Sequence, residues 1–148
     1  MQENNIVIEM MNQEYLEKII ESLNCFDDFW NENLLRSEFE NENTTCIVAR
    51  DGEEIVGFAS LWEPPFEIHI NNIVVRKDSR EKKIGTLLMK KLIEISMEKE
   101  KEEITLEVSS RNLPAIKLYE KFGFERVGVR KRYYNNTDDA IIMTKKLV

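Results

Sequence analysis

The chain has 148 residues, 42% of them hydrophobic, and its 28 acidic against 21 basic residues give a net charge of -7. That length supports one domain over residues 1–148 with its own core, and the acidic balance excludes the broad basic face that nucleic-acid backbones require. No apolar run approaches the about 20 residues of a membrane span, and Met1-Gln2-Glu3-Asn4-Asn5 lacks the basic start of a signal peptide, so a cytoplasmic protein is expected.

Taken in chain order, Asn5 to Glu9 alternates as a strand, and Gln13 to Leu23 carries helical spacing through Leu16, Ile19, Ile20 and Leu23. Asn31 is the N-cap of a second helix holding Leu34, Leu35 and Phe39, with Trp30 stapling its start, before a break at Asn41-Glu42-Asn43. Cys46 to Ala49 and Ile55 to Trp62 flank Asp51-Gly52 as an antiparallel hairpin. After Pro64-Pro65, the β-branched stretch from Phe66 to Arg76 reads as a central strand. Ile84 to about Lys99 has an amphipathic stripe of Ile84, Leu87, Leu88, Leu92 and Ile95. Glu103 to Ser109 alternates, with Ile104, Leu106 and Val108 on one face and Thr105, Glu107 and Ser109 on the other. Asn112 as N-cap, Pro114 in the first turn and Gly123 past the end bracket a helix with the stripe Ala115, Leu118, Tyr119 and Phe122. Phe124 to Tyr134 and Ala140 to Lys146 are two final strands around Asn135-Asn136-Thr137-Asp138. Strands and helices in this order predict an α/β sandwich on a mixed sheet.

Cys25 and Cys46 lack the paired spacing of a zinc or redox motif, and His69 is the single histidine, so no metal-ligand set is expected. Two stretches carry other chemistry. Glu107 on a strand and Tyr119 on the next helix can serve as base and acid in one cleft. Upstream, Arg80-Glu81-Lys82-Lys83-Ile84-Gly85-Thr86 turns into a helix, where first-turn amides and the helix dipole hold a phosphate-bearing ligand. A plain lysine-rich loop before an amphipathic helix has the same pattern, and alone it is weak.

These residues, with Asn72-Ile73-Val74-Val75, Asn112-x-x-Ala115-Ile116-x-Leu118-Tyr119-x-Lys121-x-Gly123-Phe124, Arg130 to Tyr134 and Asp139 to Met143, resemble the GCN5-related N-acetyltransferases. Within that superfamily the chain is most similar to the bacterial ribosomal-protein-alanine N-acetyltransferases. The resemblance implies a mixed, mostly antiparallel central sheet with helices on both faces, acetyl-CoA as donor, and direct transfer to an amine.

It also implies site residues. The backbones of Ile73, Val74 and Val75 would pair with the pantetheine arm, and Arg80, Glu81, Lys82, Lys83, Ile84, Gly85 and Thr86 would cradle the pyrophosphate. Lys83 stands where the family's loop usually has its first glycine, so it must either keep a negative φ or tolerate strain. Glu107 aligns with the general base that an α-amino group of pKa about 8 needs, against a solvated glutamate or His69 as a rival base. Tyr119 aligns with the acid that protonates the leaving thiolate, against a packed core tyrosine, and Asn112 with a cofactor contact, against a simple N-cap.

Tyr133 and Tyr134 would line the acceptor slot, while Arg130-Lys131-Arg132 is either a solvated face or a grip on the acceptor. Glu63, Glu67, Asp138 and Asp139 suit a cationic acceptor. The expected acceptor is a protein N-terminus, with the alanine of a small-subunit ribosomal protein as the implied case and a small-molecule amine as the alternative. A non-catalytic acyl-CoA-binding module is the second alternative. A basic ribosomal protein is the expected partner, without nucleic acid or membrane, and the chain is expected as a monomer or weak homodimer.

Overall fold

Buried β-branched runs dictate a sheet covered on both faces. In the computed structural model, which describes residues 5–26, 31–65, 67–80, 83–134 and 138–148, four successive residues from Cys46 to Ala49 are buried. The side chains of residues 132–134 lie outside that description, as do Trp30, Phe66, Glu81, Lys82 and the turn residues 135–137.

The strands are β1 (Ile6–Met10), β2 (Thr44–Asp51), β3 (Glu54–Trp62), β4 (His69–Val75), β5 (Glu103–Ser109), β6 (Glu125–Tyr134) and β7 (Asp138–Lys146). They form one 7-stranded sheet in the order β1-β2-β3-β4-β5-β7-β6. Every neighbouring pair is antiparallel except β4 with β5, as expected of a mixed, mostly antiparallel sheet. The helices are α1 (Gln13–Glu21), α2 (Glu32–Glu40), α3 (Ile84–Glu98) and α4 (Leu113–Lys121).

Period two sorts the side chains between two cores. Ile47, Ala49 and Leu61 join Leu88, Met89 and Leu92 of α3 and Ile116 of α4 on one face. Val48, Phe58 and Val74 join Leu16 and Ile19 of α1, Phe26 and Leu35 of α2 on the other. Met89 and Ile116 are fully buried although the amphipathic stripes did not include them: α3 packs across β1 to β4, and Ile116 of α4 joins the same core.

Gly57 permits the closest approach of sheet and helix. A Cβ there would stand 3.0 Å from the Val74 carbonyl oxygen and 3.1 Å and 3.2 Å from Ile84 and Leu88. The helix caps follow the sequence: Asn31 Oδ1 accepts from Leu34 N–H at 2.9 Å, and Gly123 ends α4 with φ 93°. In the β2–β3 hairpin Gly52 holds φ 62°. The strand expected from Phe66 begins at His69, after the backbone turn in which Glu67 N–H reaches Pro64 O. The first helix ends at Glu21, and residues Leu23–Cys25 tighten into a 3-10 turn.

Arg36 clamps α2 to α1 through Glu17 at 2.9 and 3.0 Å. Glu63, just past β3, pairs with Lys99 at 3.1 Å and Lys101 at 3.0 Å ahead of β5. Hydrogen bonding to Lys101 first, and then to Lys99, holds the Glu63 carboxyl below its ordinary range, and Arg36 does the same for Glu17. Among the described residues no helix is long and apolar enough to cross a membrane.

Two expectations follow. Gly57→Ala destabilises the fold by about 1–3 kcal/mol through overpacking, read as a lower urea midpoint at unchanged m. Carboxyls with lowered folded pKa values stabilise above the free value of 4.5 and lose that contribution as pH falls through the folded value. Thermal midpoints should therefore hold between neutrality and about pH 5 and fall below about pH 4.5, less steeply in Glu63→Gln.

Candidate active site

β4 and β5 meet at one register position, His69 with Thr105, supported by the Thr105 N–H to Ile68 O bond at 3.1 Å. Beyond it each strand follows its outer neighbour: β5 pairs with β7 from Glu103 through Ser109, and β4 with β3 through Val75. The irregular register between Ser60 and Leu61 leaves Asn71 as an extra residue in β4, a bulge that bends the strand where the sheet opens. The resulting cleft measures about 910 Å³ and is walled by residues 69–74 of β4 and 106–109 of β5.

Strand alternation decides what β4 offers the gap. Arg76 N–H donates to Val56 O at 2.8 Å, and the Val74 carbonyl also points at β3, beside Gly57. Ile73 and Val75, offset by one, turn their N–H and C=O groups into the gap. Of the three backbones expected there, Val74 faces the other way.

Glu107 and Tyr119 both line this cleft, from opposite faces of the sheet. Ile104, Leu106 and Val108 belong to the core under α3 and α4, so Glu107 projects on the α1/α2 face. Tyr119 packs against the α3/α4 core, its ring 5.9 Å from that of Phe124. The gap runs through the sheet between them.

The Arg130 guanidinium lies 2.7 Å from Glu107 Oε1. Glu107 also lines the cleft. Arg130, about half exposed at 54% and also lining the cleft, is paired with Glu107 and orients it. His69 sits at the joined end with its ring 5.5 Å from Trp62 and Nε2 3.4 Å from Glu67, which makes it a seal.

The other acidic residues expected around a cationic acceptor are largely engaged. Glu63 is held by two lysines, Asp139 lies 3.9 Å from Lys131, and Asp138 lies 2.8 Å from Arg111. Asp138 Oδ1 is buried there at ion-pair distance but outside hydrogen-bond geometry. Asn112 serves as N-cap, its Oδ1 accepting from Ala115 N–H at 3.3 Å, while its side chain also lines the cleft. Cap and cleft contact are compatible, because the cap uses the oxygen and leaves the NH2.

Lys83 immediately precedes α3 with φ 62° and ψ 23°. Of the two options its position allowed, the backbone takes the left-handed one that glycine would adopt freely, at a cost of about 1 kcal/mol. Gly85, two residues on, has only Leu118 near its open side, at 3.6 Å from an added Cβ. Arg80 is exposed, and Glu81, Lys82 and the side chains of Tyr133 and Tyr134 lie outside the described residues.

A cluster that sequence reasoning missed borders the cleft on the Glu107 face. Glu38 of α2 accepts from Asn72 Nδ2 at 2.9 and 2.8 Å and from the buried Ser60 hydroxyl. Partners 22 and 34 residues apart leave no local pattern. Cys46 lies under the same carboxylate, and burial, then the Glu38 charge, pushes its thiol up to about 12, so it offers no thiolate for a covalent intermediate.

A split sheet with free β4 backbone at the gap, a helix start beside it, and a carboxylate and a phenol facing each other through the opening define an acyl-transfer fold. The profile of the Acetyltransferase (GNAT) family matches residues 10–124. A Bacillus subtilis protein provisionally named as a ribosomal protein bS18-alanine N-acetyltransferase is 33% identical over 118 residues, 79% of this chain and 75% of its own. The Mycobacterium tuberculosis N-alpha-acetyltransferase RimI is 32% identical over 112 residues, covering 73% of this chain and 69% of its own. The crystal structure of the Escherichia coli ribosomal-protein-S18-alanine N-acetyltransferase superposes with a TM-score of 0.86 at 25% identity, over 96% of this chain and 94% of that one. The chain belongs to the GNAT acetyltransferase family, and acetyl-CoA is its acyl donor. The residues fit that donor: the gap-facing backbone at Ile73 and Val75 can pair with an extended amide-bearing arm, and the α3 start can take an anion.

Lys83→Gly should remove the left-handed strain and raise the thermal midpoint by about 2–4 °C, with acetyl-CoA affinity by calorimetry no weaker than wild type. A loss of affinity would mean that the Lys83 ammonium contributes to binding.

Proposed function

We propose that the chain acetylates the N-terminal α-amino group of a protein by direct transfer, and that the acceptor is the alanine of a ribosomal protein, as its relatives' names indicate. The observation that carries the reading is the opening through the sheet, with Glu107 on one face and Tyr119 on the other. When bound, acetyl-CoA supplies an acetyl group already activated as a thioester.

Ile73 and Val75 hold the donor arm along β4 through their backbone, and Lys83, Ile84, Gly85 and Thr86 at the α3 start, with Arg80, Glu81 and Lys82 before it, receive its phosphates. The Glu107 carboxylate takes a proton from the acceptor's ammonium, directly or through one water, and frees the lone pair that attacks. Tyr119 donates its phenolic proton to the departing sulfur; a phenol of pKa near 10 is protonated at neutral pH and able to do so. Asn112, which caps α4 through Oδ1 and lines the cleft, keeps its NH2 to give the donor a hydrogen bond, and Tyr133 and Tyr134 are assigned to the acceptor on the family resemblance alone. Direct transfer agrees with the high pKa of the buried Cys46 thiol. The same reading places the protein in the cytoplasm.

Turnover is measured on a peptide array of N-terminal sequences beside a panel of polyamines, amino acids and aminoglycosides. Alanine-initiated peptides should be the best acceptors; exclusive turnover of small amines would replace the proposal. Glu107→Gln and Tyr119→Phe should each lower kcat about 10²–10⁴-fold with acetyl-CoA affinity retained. Unchanged rates in both would remove the acid and base assignments.

A further inference from the structure

Asparagine is a poor strand former, yet Asn71 and Asn72 stand side by side in β4 between Ile70 and Ile73, where the sheet opens. Asn71 is accounted for by the bulge. Asn72 is in register with Ser60, and its side chain lies on the α2 face and lines the cleft that holds Glu107. Its Nδ2 donates to both Glu38 oxygens and lies 3.5 Å from Ser60 Oγ.

A carboxylate can only accept, so the NH2 branch of the Asn72 amide must face Glu38, and the planar fork sends Oδ1 the opposite way. Among the described residues Oδ1 receives no hydrogen bond. Ser60, 1% exposed, braces the carboxylate from β3, so α2, β3 and β4 all converge on the orientation of one amide. The network fixes the Asn72 amide through its NH2, with the amide oxygen uncommitted, on the β4 side of the cleft that Glu107 lines from β5.

We infer that Asn72 Oδ1 accepts a hydrogen bond from the acceptor's amine, and that Glu38 is a positioning residue that holds Asn72 for this contact. The inference rests on the acyl-transfer reading in which Glu107 is the base. An alkylammonium carries three N–H groups. Glu107 removes one proton, Asn72 holds a second N–H from β4, and the freed lone pair is directed between the strands toward the thioester carbon. Asn72 takes no proton itself. The nitrogen–carbon bond forms and the carbon–sulfur bond breaks, the sulfur taking its proton from Tyr119; the acylated nitrogen then gives up its second proton through water to the Tyr119 phenolate, and the proton held by Glu107 is released to solvent.

The test is steady-state kinetics on Asn72→Leu, Glu38→Gln and the double variant, with calorimetry on coenzyme A alone as the control for folding and donor binding. The acceptor is whichever peptide or small amine the wild type turns over best, so failure of the N-terminal reading is seen in the wild type and is not confused with failure here. Asn72→Leu should lower kcat/KM for the acceptor about tenfold or more, the size of a lost hydrogen bond to a charged group, while coenzyme A affinity stays within about twofold. Glu38→Gln frees the Asn72 amide to turn and should lose about threefold or more alone, and nothing further beside Asn72→Leu. That non-additivity is what a merely structural Glu38 would not produce. Asn72→Ala carries the same expectation if leucine does not fold. Wild-type kcat/KM in a folded Asn72 variant, or additive losses in the double variant, would overturn the inference.

Discussion

The functional architecture depends on one backbone contact: β4 and β5 are joined at His69 and Thr105 and then part. Neither strand needs the other beyond that point, because β5 is fully paired with β7 and β4 with β3. Parting leaves the gap-side N–H and C=O groups of Ile73 and Val75 without a strand partner, and buried backbone groups are rarely left unpaired. A sheet that opens this way keeps a place for an added extended chain, which is the shape of a pantetheine arm. The Trp62–His69 ring contact and the Glu63 ion pairs with Lys99 and Lys101 gather at the joined end, so the fold is braced where the strands meet.

The opening separates roles that would interfere in a single pocket. Tyr119 belongs to the α3/α4 side, the side on which α3 begins, and Glu107 to the α1/α2 side with Arg130, Asn72 and Glu38. On the acid–base reading proposed above, the proton donor for the sulfur and the proton acceptor for the amine are kept apart by the sheet. Arg130 and Glu38 each hold a neighbouring polar side chain that lines the cleft, Glu107 and Asn72.

Much of this was legible from local pattern. Asn31, Asn112 and Gly123 marked helix limits through capping chemistry, and alternation from Glu103 to Ser109 separated Glu107 from the core residues beside it. The order of strands and helices followed from the same signals, and the family motifs identified acetyl-CoA as the donor. What escaped was non-local. The bulge at Asn71 and the Glu38–Ser60–Asn72 network arise from contacts across the sheet, the αL backbone of Lys83 has no side-chain signal, and Glu63, Asp138 and Asp139 lie beside Lys or Arg side chains. Met89 was missed because α3, packed across several strands, buries more than one stripe.

The measurement that bears most directly on the split sheet is a crystal structure with a bisubstrate conjugate, coenzyme A joined through its sulfur to the amine of an alanine-initiated peptide. The account predicts the pantetheine paired with the backbone of Ile73 and Val75, the sulfur within hydrogen-bond reach of Tyr119, and the peptide leaving on the Glu107 face. A conjugate lying entirely on one face, with β4 and β5 closed together beyond Thr105, would contradict it.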